Sequence, residues 1–227
     1  MKLWGRLDHW LWYSVRRRLL DEGLEELRGH MHDCVLEIGN GRAGRRGQFR
    51  PPIEEAKAWI YLDLGNEGQP HIQADIEYLP FKNALFDTVV CLEVLEYVSR
   101  PKRALTEIHG VLKPGGKLIL STPFLHRADT EHDYWRFTEH GLRYMLEEAG
   151  FNVVWFRAQG SAFAVAANIF KYAIYIQPAG WRRRFLGGVF VPLFYLLWWM
   201  DALTARRQSL LQTFSTGYLL LAVRQGE

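Results

Sequence analysis

Glycines and a carboxylate follow the first two apolar segments of the chain. Gly39 and Gly41 end the segment "VLEIGNG", and Asp63 lies near the end of "YLDLG". Glycines let a ligand approach the backbone closely, and a carboxylate at this place accepts hydrogen bonds from ribose hydroxyls. This order predicts a nucleoside site, with a structural turn as the alternative interpretation. The third glycine of the dinucleotide fingerprint is not in its place, which favours a ligand without pyrophosphate.

A second group of reactive side chains lies in "HRADTEHDYWRFTEH", residues 126–140. Its histidines are neither four residues apart on a helix nor paired with cysteines, so we predict no metal site. His132 or Asp133 is a candidate general base for a substrate hydroxyl. The alternative is a capping loop in which Arg136 pairs with an acid and Trp135 packs.

The same segment supplies the predicted substrate contacts. It follows a predicted strand at the edge where ligands bind in such sheets. The residues concerned are His126, Tyr134, Trp135 and Arg136.

Strands alternate with helices through the middle of the chain. Short apolar runs bounded by glycine, proline or polar residues predict buried strands. The predicted strands are 34–41, 58–65, 86–94, 117–123 and 151–158, and the predicted helices are 101–112 and 139–149, with a turn at 113–116, Thr138 as N-cap and Gly150 as the stop. This alternation predicts an α/β fold with a doubly wound, mostly parallel sheet, and a ligand at the carboxyl ends of its strands.

Several linked motifs resemble the class I S-adenosylmethionine-dependent methyltransferases, in their small-molecule branch called type 11. They are "VLEIGNG", "YLDLG", "QADIEYLPFKNALFDTVVCLEVLEYV" and "ALTEIHGVLKPGGKLILSTPF", in this order. The resemblance covers residues 33–158. It implies a Rossmann-like fold, S-adenosylmethionine as cofactor and methyltransferase activity. It also implies that "TGYLLLAVR", at 216–224, is a final antiparallel strand beside the strand at 151–158.

The resemblance assigns cofactor contacts to four groups of residues. Glu37 with Gly39, Asn40 and Gly41 would face the methionine part, Asp63 with Leu64 the ribose, Asp75 and Ile76 the adenine, and Leu92 and Glu93 the floor of the pocket. The cofactor carries sulfonium and ammonium cations, so a pocket with several carboxylates suits it better than it suits a pyrophosphate. One segment departs from the family, because Pro51 and Pro52 interrupt the place of its first helix. Residues 42–50 are therefore expected to form a loop.

The terminal regions combine apolar, tryptophan and basic residues. Helical spacing predicts one or two amphipathic helices over residues 3–29, and the early acidic residue Asp8 does not fit a secretory signal. The stretch 185–203 is long enough to span a membrane. From residue 157 onward eight basic residues accompany only two acidic ones. Such a composition is typical of an element at a membrane interface.

The final strand argues against a membrane span. A single crossing would leave residues 216–224 on the far side of the membrane from the sheet they complete. A second span at 161–176 would bury Asn168 and Lys171 in lipid at high cost. Pro192 favours a bent or re-entrant helix. We therefore expect a helical cap that enters one leaflet or packs on the N-terminal helix, with a wholly buried helix pair as the alternative.

These observations predict four segments: N-terminal helices at 1–30, a cofactor-binding core at 31–158, an inserted apolar cap at 159–215 and a last strand at 216–227. The first hypothesis is a methyltransferase for an apolar or lipid-linked small molecule, held to the anionic cytoplasmic face of a membrane. A methyltransferase for a soluble sugar or metabolite, with the cap as a lid, is the second. A non-catalytic nucleotide-binding or membrane scaffold that keeps the fold is the third. The basic residues accompany apolar runs and form no polar basic face, so we expect no nucleic-acid partner.

Overall fold

The computed structural model describes residues 13–39, 47–205 and 210–226. Several sequence predictions lie outside these residues. They are the helical segment before residue 13, the cofactor contacts of Asn40 and Gly41, the first part of the loop expected at 42–50, and two of the eight basic residues counted from residue 157 onward, at 206 and 207.

A seven-stranded sheet forms the centre of the protein, in the order β3-β2-β1-β4-β5-β7-β6. Its strands are β1 (Cys34–Ile38), β2 (Ala58–Asp63), β3 (Ile72–Gln73), β4 (Phe86–Leu92), β5 (Leu112–Pro123), β6 (Phe151–Ala158) and β7 (Gly217–Arg224). The first five are parallel, and β7 runs antiparallel between β5 and β6. The predicted fold class is confirmed, including the reversed last strand.

The described part of the chain contains five α-helices. They are α1 (Val15–Leu27), α2 (Pro101–Val111), α3 (Glu139–Glu148), α4 (Ala162–Tyr175) and α5 (Trp181–Ala205). Hydroxyl side chains cap α1, α3 and α4, because Ser14, Thr138 and Ser161 each accept a bond from an amide of the first turn. Thr138 therefore has the predicted role.

The predicted turn at residues 113–116 is wrong as a boundary, because these residues are an irregularity within β5. Leu112 pairs with Phe86, whereas Lys117 pairs with Thr88, so β5 has extra residues opposite a continuous β4. Gly115 has φ of 74° there, a conformation that glycine adopts at little cost. The short strand β3, which the apolar pattern did not indicate, pairs with the end of β2.

Two apolar layers cover the sheet. On one face α2 and α3 bury Leu105, Ile108, Leu142 and Leu146 completely. On the other face α1 covers the strands with a row of leucines that includes Leu24. Complete burial of such side chains is the main stabilising contribution to a fold of this kind.

The inserted residues form a helical hairpin, α4 and α5, that packs on α1. One apolar cluster joins Val15 and Leu19 of α1 to Ala164 of α4 and to Phe190 and Phe194 of α5. Packing on the N-terminal helix, one of the two arrangements expected for the cap, is therefore observed. The helix α5 continues past Pro192, where the sequence favoured a bend.

Within the described residues, one helix is long and apolar enough to cross a membrane. It comprises residues Trp181–Thr204, with a mean hydropathy of 1.5 and 22% of its most apolar window buried within the protein.

Candidate cofactor and acceptor site

The carboxyl ends of β1, β2 and β4 lie side by side. Ile38 is in register with Leu62 of β2 and with Cys91 of β4. The residues that follow, Gly39, Asp63 and Leu92, therefore share one edge of the sheet, as the sequence predicted for a nucleoside site. This shared edge is called the cofactor edge below.

Gly39 is required by the close approach of another segment. It has φ of 83°, and a Cβ atom at this position would lie 2.0 Å from a methyl carbon of Val94. The amide of Gly39 donates to the carbonyl of Leu62 at 2.9 Å, which holds the turn against β2. A side chain here would strain the backbone and displace the residues after β4.

Asp63 at the end of β2 and Asp75 after β3 each accept a hydrogen bond from a backbone amide two residues further along the chain. The Oδ1 atom of Asp63 accepts from the Gly65 amide at 3.1 Å, and that of Asp75 accepts from the Glu77 amide at 2.9 Å. Both residues are half-buried, so each retains an accessible surface for ligand hydroxyls. Ile76 is buried beside Asp75, whereas 68% of the Leu64 surface is exposed.

Glu37 is buried on the α1 face of the sheet. Its Oε2 accepts a bond from the indole nitrogen of Trp59 at 2.7 Å. Arg17 and Asp21 of α1 line the same pocket with Phe49. Glu37 is therefore held under α1, and its predicted contact with the methionine part stays a prediction.

Glu93 follows β4 in a strained conformation. Its φ is 59°, a region that non-glycine residues seldom adopt, and its amide donates to the Ser121 carbonyl at 3.0 Å. The Ser121 hydroxyl donates to its carboxylate at 2.9 Å, and Arg16 of α1 forms an ion pair with it. Backbone strain of this kind is found at functional sites, where surrounding contacts hold one side chain in place.

Glu96 is a buried carboxyl group at the same edge. It is 1% exposed, and its Oε2 atom has no hydrogen-bond partner among the described residues. Burial, the largest cause, raises the pKa of Glu96 to about 7, and Arg16 opposes this shift. A carboxyl group that titrates near neutral pH is suited to accept a proton.

His126 lies after β5 beneath the cap. Burial and the charge of Arg16 lower the pKa of its imidazole to about 4, so the ring is neutral at pH 7. It contacts the ring of Tyr172 on α4 edge-on, with the centroids 6.5 Å apart. His126 therefore stands between the cofactor edge and the apolar cap, which is consistent with its predicted contact with a substrate.

Asp133 and Arg136 fasten the loop that carries the predicted acid–base residues. Both oxygens of Asp133 accept from Arg136, at 2.5 and 2.6 Å, and Arg136 lowers the pKa of Asp133. Arg136 also donates to the carbonyls of His126 and Arg127. An engaged carboxylate of low pKa is a weak base. This geometry weighs against the general-base role predicted for Asp133, which stays a prediction, and it agrees with the alternative of a capping loop.

The other predicted loop residues lie on the surface. The His132 side chain is 68% exposed, and its ring contacts the Tyr134 hydroxyl at 3.1 Å. The amides of Tyr134 and Trp135 both donate to the Glu96 carbonyl, which ties the loop to the end of β4. The Trp135 indole donates to the Val98 carbonyl at 2.9 Å. The described residues contain no cluster of three or more metal-ligating side chains.

Arg16 and Glu96 are the site residues that the sequence did not indicate. Arg16 belongs to a run of three arginines, which is typical of a solvated helix face. Glu96 is a lone acid three residues after Glu93, without a motif of its own. Only the packing of α1 and the loop at 126–136 against β4 distinguishes these residues from their neighbours.

Residues 54–120 match the family model described as a methyltransferase domain. The chain is similar to a methyltransferase domain over these residues. The resemblance to the class I S-adenosylmethionine-dependent methyltransferases is thereby confirmed, and the match covers the second strand to the middle of β5.

Curated proteins that are similar to this chain include ubiquinone/menaquinone biosynthesis C-methyltransferases named UbiE. The protein of Wigglesworthia glossinidia brevipalpis is 39% identical over 70 residues, which are 30% of this chain and 28% of that protein. The protein of Vibrio cholerae (strain El Tor Inaba N16961) is 26% identical over 153 residues, which are 55% of this chain and 59% of that protein. The chain thus spans between a quarter and three fifths of these relatives.

Solved structures share the fold at low identity. Phosphoethanolamine N-methyltransferase 2 of Haemonchus contortus, in complex with S-adenosyl-L-methionine, is 15% identical with a TM-score of 0.54, over 91% of this chain and 52% of that one. The 4+2 cyclase SpnF is also 15% identical, with a TM-score of 0.56, over 91% of this chain and 81% of that one. The two names differ in chemistry, so these likenesses show the fold alone.

The residues of the cofactor edge fit S-adenosylmethionine. Asp63, Asp75 and Glu93 are carboxylates suited to the ribose and the two cations of this cofactor, and Gly39 leaves room at the backbone. A cofactor with a net positive charge gains from such an acidic edge, because opposite charges attract strongly at partly buried sites.

Proposed function

We propose that the protein is an S-adenosylmethionine-dependent methyltransferase whose acceptor is an apolar or lipid-linked small molecule at the cytoplasmic face of a membrane. The methyltransferase part is supported by the matched domain and by the cofactor edge. The membrane part is supported chiefly by one observation, the outward apolar face of the cap beside the acceptor loop. The curated relatives, named for ubiquinone/menaquinone biosynthesis, agree with a lipid-soluble acceptor.

The cap buries charged side chains of its middle part, among them Lys171 and Asp201. Asp201 is 5% exposed and accepts bonds from the amides of Ser161 and Ala164 and from the Ser161 hydroxyl. Lys171 is 4% exposed, and its ammonium donates to the Tyr13 carbonyl at 2.8 Å. Polar groups that bond internally leave the outer surface free of them, as in proteins that contact lipid.

The outer surface of the cap is correspondingly apolar. Large apolar side chains along α4 and α5 are at least two fifths exposed. They are Ile169, Phe170, Ile176, Trp181, Phe185, Leu186, Val189, Leu193, Tyr195, Leu196, Trp199 and Leu203. An exposed apolar surface of this extent marks contact with a membrane or a partner.

Basic and aromatic residues border this surface at the start of α5. Arg182 and Arg184 are exposed, and the Arg182 guanidinium lies 5.6 Å from the ring centre of Trp181. Tryptophan and arginine together are typical of the interface between lipid and water, where each arginine adds about 1 kcal/mol of attraction to anionic lipid. We therefore propose that the cap lies in one leaflet, with this end at the head groups.

The cap also contacts the loop that carries the proposed acceptor site. Tyr172 on α4 contacts the ring of His126 and, through a cation–π contact of 4.6 Å, the guanidinium of Arg127. An apolar acceptor that enters along α4 would meet the loop after β5 and then the end of β4. The acceptor's polar group would thus come next to Glu96 and His126.

The protein's own contribution to methyl transfer is to position the acceptor and accept its proton. When bound, S-adenosylmethionine supplies an activated methyl group. We propose Glu96 as the proton acceptor, beside the earlier candidate His132, because it is buried at this edge and titrates near neutral pH.

The test is label transfer followed by phase partition. Purified protein is incubated with methyl-labelled S-adenosylmethionine and a whole-cell extract, and the organic and aqueous phases are counted. We expect label in the organic phase. Label confined to the aqueous phase would favour a soluble sugar or metabolite as acceptor, and bound cofactor without any label would favour a non-catalytic scaffold.

A further inference from the structure

Gln159 carries a buried amide group at the junction of the sheet and the cap. It directly follows β6 and precedes by two residues Ser161, the N-cap of α4. It is 1% exposed, and neither Oε1 nor Nε2 of its side chain has a hydrogen-bond partner among the described residues. A buried amide without hydrogen bonds destabilises a protein, so such a side chain indicates a site for a ligand or a fixed water.

The backbone of Gln159, in contrast, is fully bonded. Its amide donates to the Gly217 carbonyl at 2.8 Å, and its carbonyl accepts from the amide and the hydroxyl of Thr216, at 3.0 and 2.9 Å. The Thr216 carbonyl in turn accepts from the amide of Phe124, the first residue after β5. The root of the cap and the start of the loop after β5 are therefore joined at this place, and only the Gln159 side chain lacks partners.

The Gln159 amide group lies on the face of the sheet that leads to the cofactor edge. A Cβ atom at Gly217 would lie 3.1 Å from Oε1 of Gln159 and 3.3 Å from Cα of Pro123. Pro123 and Ser121 share one face of β5, because side chains alternate along a strand, and the two residues are about 7 Å apart. The Ser121 hydroxyl donates to Glu93. The distance from Gln159 to the cofactor edge is thus comparable to the size of a small ring.

Apolar helices surround this amide group. A Cβ atom at the next residue, Gly160, would meet Ala164 of α4 and would lie 3.0 Å from Cδ1 of Leu19 on α1. It would also lie 3.6 Å from Oδ1 of Asp201, which already accepts bonds from amides at the start of α4. An uncharged amide among apolar groups, with a carboxylate nearby, suits an uncharged ligand group and disfavours an anion.

We propose that Gln159 binds a second polar group of the methyl acceptor, besides the one that meets Glu96 and His126, and that this second group is an uncharged hydroxyl or carbonyl oxygen. This inference rests on the proposed function, since it concerns the acceptor of the same reaction. Nε2 donates to a carbonyl oxygen, and Oε1 accepts from a hydroxyl. Gln159 thereby selects and orients the acceptor and does not touch the reacting atoms.

The test measures how much acceptor half-saturates the reaction. Wild-type protein, Gln159→Leu and Gln177→Leu are given methyl-labelled S-adenosylmethionine and increasing amounts of a lipid extract in detergent, and label in the organic phase is counted. Calorimetry with S-adenosylhomocysteine and a thermal melt accompany each protein. Gln177 is the matched control, because it is exposed just after α4 and its Nε2 donates to the Ala173 carbonyl.

We expect Gln159→Leu to need at least about tenfold more extract for half-maximal labelling, since an oxygen group of the bound acceptor loses its partner. It should bind S-adenosylhomocysteine as wild type does, and its melting temperature should not fall, because leucine replaces an amide without partners. Gln177→Leu should match wild type throughout.

Two results overturn the role of Gln159. Unchanged half-saturation in Gln159→Leu, with a lower melting temperature, means that the partner of the amide is a fixed water only. An equal loss of S-adenosylhomocysteine binding means that the variant disturbs the whole site. If wild-type protein labels nothing in either phase, the proposed function itself fails.

A measurement on wild-type protein covers a variant that fails to fold. The inhibitors 5-pentadecylresorcinol and 3-pentadecylphenol share one apolar chain and differ by one hydroxyl. The resorcinol should inhibit labelling by wild-type protein at least about tenfold more strongly, because only it offers a second oxygen group to Gln159. Equal inhibition of wild type by the two compounds overturns the proposal while the methyltransferase activity stands.

Discussion

The sheet and the cap differ in where their large apolar side chains lie. In the sheet, Leu36, Val89 and Leu118 are fully buried between helices. In the cap, Lys171 and Asp201 are buried, while Trp181, Phe185 and Trp199 are more than half exposed. The sheet layer thus obtains its apolar surroundings from its own chain, whereas the cap presents an apolar surface outward. This difference indicates that the cap functions next to something apolar outside the chain.

The largest expected effect is on the free energy of unfolding, and it tests whether the core around the sheet is packed by the chain itself. Leu220 is fully buried in β7, and Leu196 on α5 is 51% exposed. Leu220→Ala should lower the free energy of unfolding by about 2–5 kcal/mol, because it leaves a cavity. The matched Leu196→Ala should change it by less than about 0.5 kcal/mol. Urea unfolding of both variants gives the comparison, and equal losses would mean that the α5 face is packed.

The second prediction concerns the outer face of the cap. Val189, Leu196 and Trp199 are exposed on α5, so their joint replacement by Gln should leave folding intact. The triple variant should bind anionic vesicles at least about 100-fold more weakly, because each apolar side chain that enters the membrane contributes about 1.5–3 kcal/mol. Vesicle flotation measures this. Val154→Gln is the control, because Val154 is 52% exposed and belongs to β6, not to the cap. Wild-type protein that does not float would contradict the membrane proposal.

The third prediction compares a glycine in each region. A Cβ at Gly39 would meet Val94, whereas one at Gly188 on α5 would meet nothing within 4 Å. Gly39→Ala should destabilise the protein by about 1–3 kcal/mol and weaken S-adenosylhomocysteine binding, because φ is 83° there. Gly188→Ala should stabilise it by about 0.5–1 kcal/mol. Thermal melts with and without S-adenosylhomocysteine measure both effects. If Gly39→Ala changes neither the stability nor the ligand binding, Val94 does not approach Gly39 closely.

The smallest effect is a pH dependence at Glu96. Its pKa is raised to about 7 in the folded protein from an ordinary value of 4.5, so the folded state binds this proton more tightly. The stability it contributes is complete below about pH 4.5 and is lost as the pH rises through 7. Arg16, Asp133 and Arg136 are the charged groups that face it.

Glu96→Gln should therefore gain stability relative to wild type between pH 5 and pH 8. Melting temperatures across this range measure the difference, with Glu67→Gln as an exposed control. A difference that is constant with pH, or of opposite sign, would refute the raised pKa. If Glu96 also accepts the acceptor's proton, the same variant lowers the rate of methyl transfer at every pH.

The sequence predicted the sheet well because its signals are local. Short apolar runs marked five parallel or edge strands, and Thr138 marked the start of α3. The sequence did not indicate β3, because its two residues, Ile72 and Gln73, are too few to show an apolar pattern. The glycines at 115–116 suggested a turn because glycine is common in turns. That β5 extends back to Leu112, which pairs with Phe86, is visible only in the folded sheet.

The sequence predicted those site residues that directly follow a recognisable strand. Gly39 and Asp63 could be read from their positions after β1 and β2. The Arg16–Glu93 pair joins residues far apart in sequence, so only tertiary packing brings them together. The pairing of Asp133 with Arg136 was foreseeable as an alternative, but the burial that favours it over a catalytic role depends on the folded loop.

The most direct test of the account joins both regions in one measurement. Wild-type protein and the Val189, Leu196 and Trp199 triple variant are given labelled S-adenosylmethionine with the acceptor-containing lipid extract, either in anionic vesicles or dissolved in detergent. We predict that both proteins label the organic phase in detergent, and that only the wild type does so efficiently on vesicles. Equal labelling of vesicles by the two proteins, or label in the aqueous phase alone, would contradict a cap that brings the sheet to a membrane-borne acceptor.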